Sequence, residues 1–318
     1  MAHEITIREN GYAEMAFVGK LPWHGLGQSL DQNASIDEWR KAAGFDWTIE
    51  QTPALFKPAD MDVPLVVPSR YVQYRSDNGM PLSVVSERYK PVQPHEVLEF
   101  FRDLVEESGF RLHTAGSLFG GRRLWALAET GRYGEVVKGD GIGGFLLLST
   151  SCDKTLATTA RFTSVRVVCN NTLSLATSEK NSVVSFSHLR HFDHQLMKQR
   201  LGATVASFEA FMEMSKYLQK QRVQQDQARE FVAKILDLPM LENNEIKESR
   251  PFKRIMELFN GNAKGADIVG DSKWGLLNAV TEYWDHHQPS RTDDARLNST
   301  WFGIGDAMKT RAIEVLTS

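Results

Sequence analysis

Cysteine is nearly absent from this 318-residue chain: Cys152 and Cys169 are too few for a disulfide scaffold and lack metal-ligand spacing, so both are expected to be reduced, buried thiols. Long apolar runs are missing as well. No stretch approaches the roughly 18 residues needed to span a bilayer, and residues 1–9 hold no apolar signal core. Together these absences predict a cytoplasmic protein with no membrane partner. The chain has no G-x-x-x-x-G-K-[ST] loop, which excludes the usual ATP-driven recombinases and helicases, and no G-x-S-x-G nucleophile turn. Its carboxylates form no nuclease-like set at strand ends. The sequence therefore assigns no catalytic residue, no cofactor and no metal, and favours a non-enzyme. Proline is uneven: eight of eleven lie in residues 1–94 and none between His95 and Leu238. The opening third thus reads as strands and turns, and the remainder as uninterrupted elements.

The composition, 42% hydrophobic and 24% charged, is that of a globular protein rather than a disordered or fibrous one. Residues 1–34 read as an extended N-terminal arm. Ser35 with Glu38 signals a helix start, Gly44 a stop, and Phe45 to Thr52 alternates like a half-buried strand. Arg70–Arg75 and Pro81–Val85 flank Ser76-Asp77-Asn78-Gly79, where Asn-Gly predicts a hairpin with positive backbone angles. Pro94 opens a helix whose apolar face is Val97, Leu98, Phe101, Leu104 and Val105, ending at Ser108-Gly109. Strands return at 110–117, 122–129, 144–150 and 155–162. From about Leu189 the spacing is helical: Leu196, Leu201, Val205, Phe208, Phe211, Met212, Ser215 and Leu218 follow one face, with further helices near 228–235, 251–260, 273–285 and 303–316. The expected class is α+β, a mostly antiparallel sheet with packed helices followed by a helical C-terminal subdomain. The expected division is an arm over 1–34, an α+β domain over 35–187 and a helical subdomain over 188–318.

Charge is distributed unevenly along the chain. Residues 1–110 carry 10 Lys/Arg against 17 Asp/Glu, residues 111–200 carry 12 against 6, and residues 201–318 carry 15 against 17. The basic middle interleaves its cations with strands and aromatics: Arg111, Arg122, Arg123, Trp125, Arg132, Tyr133, Lys138, Lys154, Arg161, Phe162 and Arg166. Such a surface would hold phosphates by charge and stack unpaired bases on rings. Arg122, Arg123, Lys154, Arg161 and Arg166 are the expected phosphate contacts, and Trp125 or Phe119 the expected stacking residue. The competing reading makes Trp125 and Phe162 core residues and leaves the charges to solvate strand edges. Gly139 to Gly144 has the glycine spacing of a dinucleotide fingerprint, but a strand follows it, so a hairpin turn is expected. His188, His191 and His194 are spaced by three without a supporting carboxylate set, and are read as a helix start rather than a metal site.

Four segments carry a resemblance: Pro81–Tyr89 with Gln93, Thr114–Leu118 with Gly120–Leu127, Phe162–Leu173, and Trp274–Tyr283. Jointly they resemble the phage and plasmid-like proteins grouped as domain of unknown function 932, from about Gly25 to Leu316. The resemblance implies a mobile-element protein working in a bacterial cytoplasm and carries over no catalytic residue. The order of helix, β-hairpin, strands and helix, with a basic strand region and no ATP loop, is also similar to single-strand annealing proteins that form rings or filaments. That second likeness is fold-level analogy and matches no motif residue by residue. The expected function is accordingly an ATP-independent, non-enzymatic nucleic-acid-binding protein of a phage, prophage or plasmid, preferring single-stranded DNA and acting as a homo-oligomer. The alternatives are a protein-interaction module acting on a host or defence factor, and a metal-dependent nuclease using the His188–His194 group.

Overall fold

The structure is a computed structural model, and it describes residues 5–19, 26–166, 171–174, 183–188, 193, 195, 207–239, 246–291 and 293–318. Ser35 opens the first helix as predicted. Its hydroxyl accepts from the Glu38 amide at 3.3 Å while the Glu38 carboxylate accepts the Ser35 N–H at 2.7 Å, a reciprocal cap that starts α1 (Ile36–Ala42). Strands β1 (Met15–Val18) and β2 (Gln28–Leu30) precede this helix, and β3 (Ile49–Phe56), β4 (Leu65–Arg75) and β5 (Pro81–Ser86) come after it. The last three form an antiparallel sheet of their own. The predicted hairpin joins β4 to β5, but of Asn78 and Gly79 only Gly79 takes a positive φ, +71°. The Arg75 amide donates to Met80 O at 3.0 Å, closing a four-residue loop. A loop of that length is commonly built on a type I turn, whereas two left-handed residues in succession belong to the two-residue hairpin.

α2 (Pro94–Ser108) begins at its proline, ends at left-handed Gly109, and buries Val97, Leu98, Phe100 and Phe101. The main sheet is then laid down by β6 (Arg111–Leu118), β7 (Arg123–Glu135), β8 (Gly141–Ser151), β9 (Thr158–Arg166), β10 (Asn171–Ser174) and β11 (Val183–Phe186). The chain is thus α+β with a mostly antiparallel sheet and helices toward its C-terminus.

Two compact units divide the chain, and neither is one continuous stretch. The first holds Met1–Thr130, Leu146–Arg161 and Val183–Ala203; the second holds Gly131–Phe145, Phe162–Ser182 and Thr204–Ser318. This differs from the division expected at residue 188, because β7, β8 and β9 each contribute residues to both units. In the first unit the strand order runs β9-β8-β7-β6-β1-β2, with β11 on the free side of β9. The expected N-terminal arm is part of this sheet: β1 lies antiparallel to β6 and parallel to β2, and Met15, Ala16 and Phe17 are buried. Four residues of strand are too few to show an alternating pattern, so they escape a periodicity reading.

The second unit is mainly helical: α3 (Ser207–Lys220), α4 (Gln225–Ile235), α5 (Arg250–Glu257), α6 (Ala266–Val269), α7 (Lys273–Glu282), α8 (Asp293–Phe302) and α9 (Ile304–Thr317). Phe208, Phe211, Met212, Ser215 and Leu218 form the buried face of α3 as predicted, while Leu196, Leu201 and Val205 lie outside the described residues. α5 and α7 each run on into a π-helical turn, Leu258–Asn262 and Tyr283–His287. α6 and α8 were not expected; one is a single turn, and the other, rich in Asp, Asn, Ser and Thr, has no apolar period to announce it. Asp140, in the β7–β8 turn, is fully buried and its Oδ2 accepts the Trp274 indole N–H at 2.7 Å. Lys309 and Asp285 make a buried ion pair at 2.7 Å. Among the described residues no helix is long and apolar enough to cross a membrane.

One carboxylate ties the first unit together. Glu14 is 0% exposed, and its oxygens accept from Arg75 Nη2 at 2.6 Å, Arg75 Nη1 at 3.1 Å, Arg8 Nε at 2.8 Å and Ser117 Oγ at 2.6 Å. Arg75, itself 1% exposed, also grips Asp77 through Nε at 2.9 Å and Nη2 at 2.7 Å, and its guanidinium lies 4.1 Å from the Trp47 ring centroid. Arg8 completes the set with Asp46 and the Gly44 carbonyl. Glu14→Gln removes the one carboxylate that both guanidinium groups share, leaves them Asp77 and Asp46 alone, and turns an amide NH2 toward their N–H groups in a largely buried site, so it is expected to cost about 3 kcal/mol. Urea unfolding followed by tryptophan fluorescence should show a lower midpoint at unchanged slope; an unchanged midpoint would make the network dispensable.

Candidate nucleic-acid interface

Two turns of the first unit bring part of the predicted basic set together. The β6–β7 turn is Phe119-Gly120-Gly121-Arg122, closed by the pairing of Leu118 with Arg123. Phe119, Gly120 and Gly121 take φ of +57°, +72° and +96°. The β8–β9 turn runs through Asp153, whose Oδ1 accepts from the Thr155 amide at 3.0 Å and its hydroxyl at 2.6 Å, and through Lys154 at φ +67°. The Cys152 amide donates to Arg122 O at 3.0 Å and so sets the two turns side by side. Arg122 and Lys154 are exposed, and Phe119 is half-buried. Arg122 Nε donates to Phe119 O at 3.0 Å, and Lys154 Nζ to Val84 O of β5 at 2.8 Å.

The other predicted residues lie elsewhere. Trp125 is 1% exposed, a core side chain with no ring face to offer a base, which corrects its assignment as the stacking residue. Arg123 and Arg161 are each 9% exposed, so neither presents its guanidinium on the surface as expected. Arg123 Nη2 donates to Thr155 Oγ1 at 2.9 Å, and its guanidinium carbon lies 5.7 Å from the Phe119 centroid. Burial pulls the Arg123 pKa below its ordinary value, against the opposing charge of Asp153. Arg166 has its backbone in β9, and its side chain lies outside the described residues. In the second unit Arg132 is paired with Glu209 at 2.9 Å.

Three residues join the site that sequence reading passed over. Met80 ends the β4–β5 loop against Gly120, where an added Cβ would stand 2.6 Å from its Cε. Arg88 and Lys90 are exposed on the turn after β5, and that turn is anchored beside the β8–β9 turn because the Tyr89 hydroxyl between them donates to Ser151 O at 2.8 Å. The only signal was a buried-type aromatic flanked by two cations, outside the segment that charge counting marked.

Among the remaining candidates His188, Gly139 and Cys152 have structural roles. His188 is buried, stacked on Tyr89 at 4.8 Å with 22° between planes, with Nε2 3.2 Å from Leu156 O, and burial lowers its pKa. His191, His194 and Cys169 lie outside the described residues. No group of three or more His, Cys, Asp or Glu is placed to hold a metal among the described residues. Gly139 and Asp140 lie in the β7–β8 hairpin turn, closed by the Val136 amide donating to Asp140 O at 3.1 Å, and Gly141 to Gly144 open β8, so the segment is a hairpin rather than a dinucleotide loop. Burial, reinforced by Asp153, pushes the Cys152 thiol up to about 12.

Comparison with known proteins gives one finding. The family model described as Domain of unknown function (DUF932) matches residues 81–301, and the chain belongs to that family. No curated protein and no solved structure matches significantly.

Lys154 holds a left-handed backbone that costs a side-chain-bearing residue about 1 kcal/mol relative to glycine. Lys154→Gly is therefore expected to be more stable than Lys154→Ala by that amount, since both lose the same ammonium and only one keeps the strain; equal unfolding midpoints would argue that the turn relaxes. In a Cys169→Ser background, Cys152 should resist iodoacetamide at pH 8 until denaturant is added, because a thiol with so high a pKa has almost no thiolate. Rapid alkylation of the native protein would contradict its burial.

Proposed function

We propose that the chain is a non-enzymatic nucleic-acid-binding protein, preferring single-stranded DNA and needing no ATP, that serves a phage, prophage or plasmid. The observation that carries this reading is the strain in the two adjoining turns. Of the four non-glycine residues with positive φ among those described, two are Phe119 and Lys154. A bulky ring in left-handed backbone is a true outlier, and such outliers gather where a side chain must be aimed at a ligand. Here the strain presents a half-buried ring beside the exposed cations Arg122 and Lys154, with Arg88 and Lys90 on the next turn. Cations hold phosphates in either strand form, but a ring can stack only on a base that is not already stacked in a duplex. Phe119, rather than Trp125, therefore takes the stacking role.

Fluorescence anisotropy with a labelled oligonucleotide and its duplex, each over a salt series, tests this. Replacing Arg122 and Lys154 together by alanine should weaken binding to all sequences and reduce the salt slope for single strands by about 1.4, that is about 0.7 for each lost phosphate contact. Arg132→Ala, whose guanidinium already serves Glu209, should change neither. Phe119→Asn keeps a residue tolerant of left-handed backbone but removes the ring, and should cost about 1 kcal/mol or more on the single strand with little effect on the duplex. Absence of binding at low salt would discard the reading.

A further inference from the structure

The far end of the β3–β4 hairpin is unlike the rest of the first unit. β5 ends opposite Arg70, so among the described residues Leu65–Ser69 of β4 has only β3 as a strand neighbour and the sheet narrows to a two-stranded ribbon. The register slips between Pro53 and Leu55, and Ser69 takes a φ of +54°, so the ribbon bends where it leaves the sheet. Beyond the bend Leu55 pairs with Val66 and Phe56 with Leu65. Opposed residues share a face and successive residues alternate, so both faces of the ribbon are apolar. Leu55, Phe56, Leu65 and Val66, with Met61 and Val63 in the loop, are between 40% and 71% exposed.

A lone two-stranded ribbon is marginal in water, and this one shows water its least soluble side chains. Scaled by ordinary residue areas, the six residues amount to on the order of 600 Å² over the two faces together, about 300 Å² a face, which is within the range of a monomer's largest apolar patch. Pro53 of β3 and Pro68 of β4 remove an amide donor each at the base of the ribbon, and Pro58 and Pro64 lie in the loop at its tip. The short strands, the register slip and Pro68 limit how far a further strand could pair along either edge, so side chains supply most of the contact. Lys57 and Asp62 lie 4.0 Å apart near its tip, and each ribbon thus carries both signs of charge.

We propose that this ribbon, Leu55–Val66, is a self-association element that packs against the same ribbon of a second copy of the chain. A contact through one face of each ribbon buries about 600 Å², the size of a weak, concentration-dependent association, and a chain contacted on both faces buries about twice that. The tip carries Lys57, Asp60 and Asp62, and an inverted copy sets each Lys57 against an aspartate of the other. Two apolar faces also give each chain two contacts, so assembly can continue past a dimer into a ring or filament.

Sedimentation velocity of the full chain, without nucleic acid, tests this apart from the binding site proposed above. The native chain should be dimeric or larger, with mass rising from low to high micromolar concentration. A variant carrying Leu55→Glu, Val66→Lys, Phe56→Thr and Leu65→Thr keeps a cross-strand charge pair and good strand formers, and should be monomeric with an unchanged circular dichroism spectrum. Val63→Cys, in a background with Cys152 and Cys169 replaced by serine, should give covalent dimers on mild oxidation. A native chain that stays monomeric throughout overturns the proposal and leaves the ribbon to a protein of different sequence. A variant that keeps the native mass, or a Val63→Cys chain that forms no dimer, overturns it as well.

Discussion

The first unit depends on a single negative charge kept out of water. Glu14 sits in the short N-terminal segment with Arg8, and the other groups that satisfy it, Arg75 and Ser117, come from two distant places in the chain. A carboxylate so buried is tolerable only when nearly every lone pair is used. That condition fixes the register of β1 against β6, draws in the β4–β5 loop through Arg75 and Asp77, and seats Trp47 under the guanidinium. An apolar cluster of equal volume would hold these pieces as firmly, but it would not discriminate among registers, because apolar contacts have no direction. The ionic network therefore specifies as well as stabilises.

The proposed interface stands on that framework. Arg75 Nη1 lies 3.4 Å from Gly120 O, and the β6–β7 turn is thus supported from beneath by the same guanidinium that holds Glu14. Around it the polar groups are satisfied locally: burial pushes the Asp153 carboxyl up, but hydrogen bonds from Thr155 and Ser151 and the charge of Arg123 outweigh it and leave the group below its ordinary value. Arg123 is thereby a positioning residue for the turn rather than a phosphate contact. The strain at Phe119 and Lys154 is held in place by this rigid surround, which is what lets an unfavourable backbone persist in a folded chain.

The helical unit uses the same logic on a smaller scale. Its buried charges occur with partners, Lys309 with Asp285 and Asp140 with the Trp274 indole, and neither arrangement leaves a side chain aimed at solvent. Trp274 lies in one of the four segments that carry the family resemblance, and its place in the structure explains it as a packing residue. Family membership here marks a shared fold, and the chemistry has to be argued from the exposed turns.

Much of the architecture is written in short-range signals. The Ser35 cap, the start at Pro94, the stop at Gly109, the β4–β5 hairpin and the buried face of α3 all follow from residues within a few positions of one another, where backbone sterics and local hydrogen bonds decide. Arg122, Lys154 and Phe119 were legible too, as cations and a ring at the turns between the expected strands. What the sequence could not determine is which side chains end up covered. β7 reads Arg-Leu-Trp-Ala-Leu-Ala, a near-continuous apolar run headed by a cation; it lies between β6 and β8, and even the cation is buried with the rest, from Arg123 to Ala128. Trp125 and Arg123 were removed from the surface by neighbours distant in sequence, and Arg88, Lys90 and Met80 were brought to it in the same way. Local propensity acts over a few residues; burial is set by whatever packs against both sides of an element, and only the tertiary structure decides that.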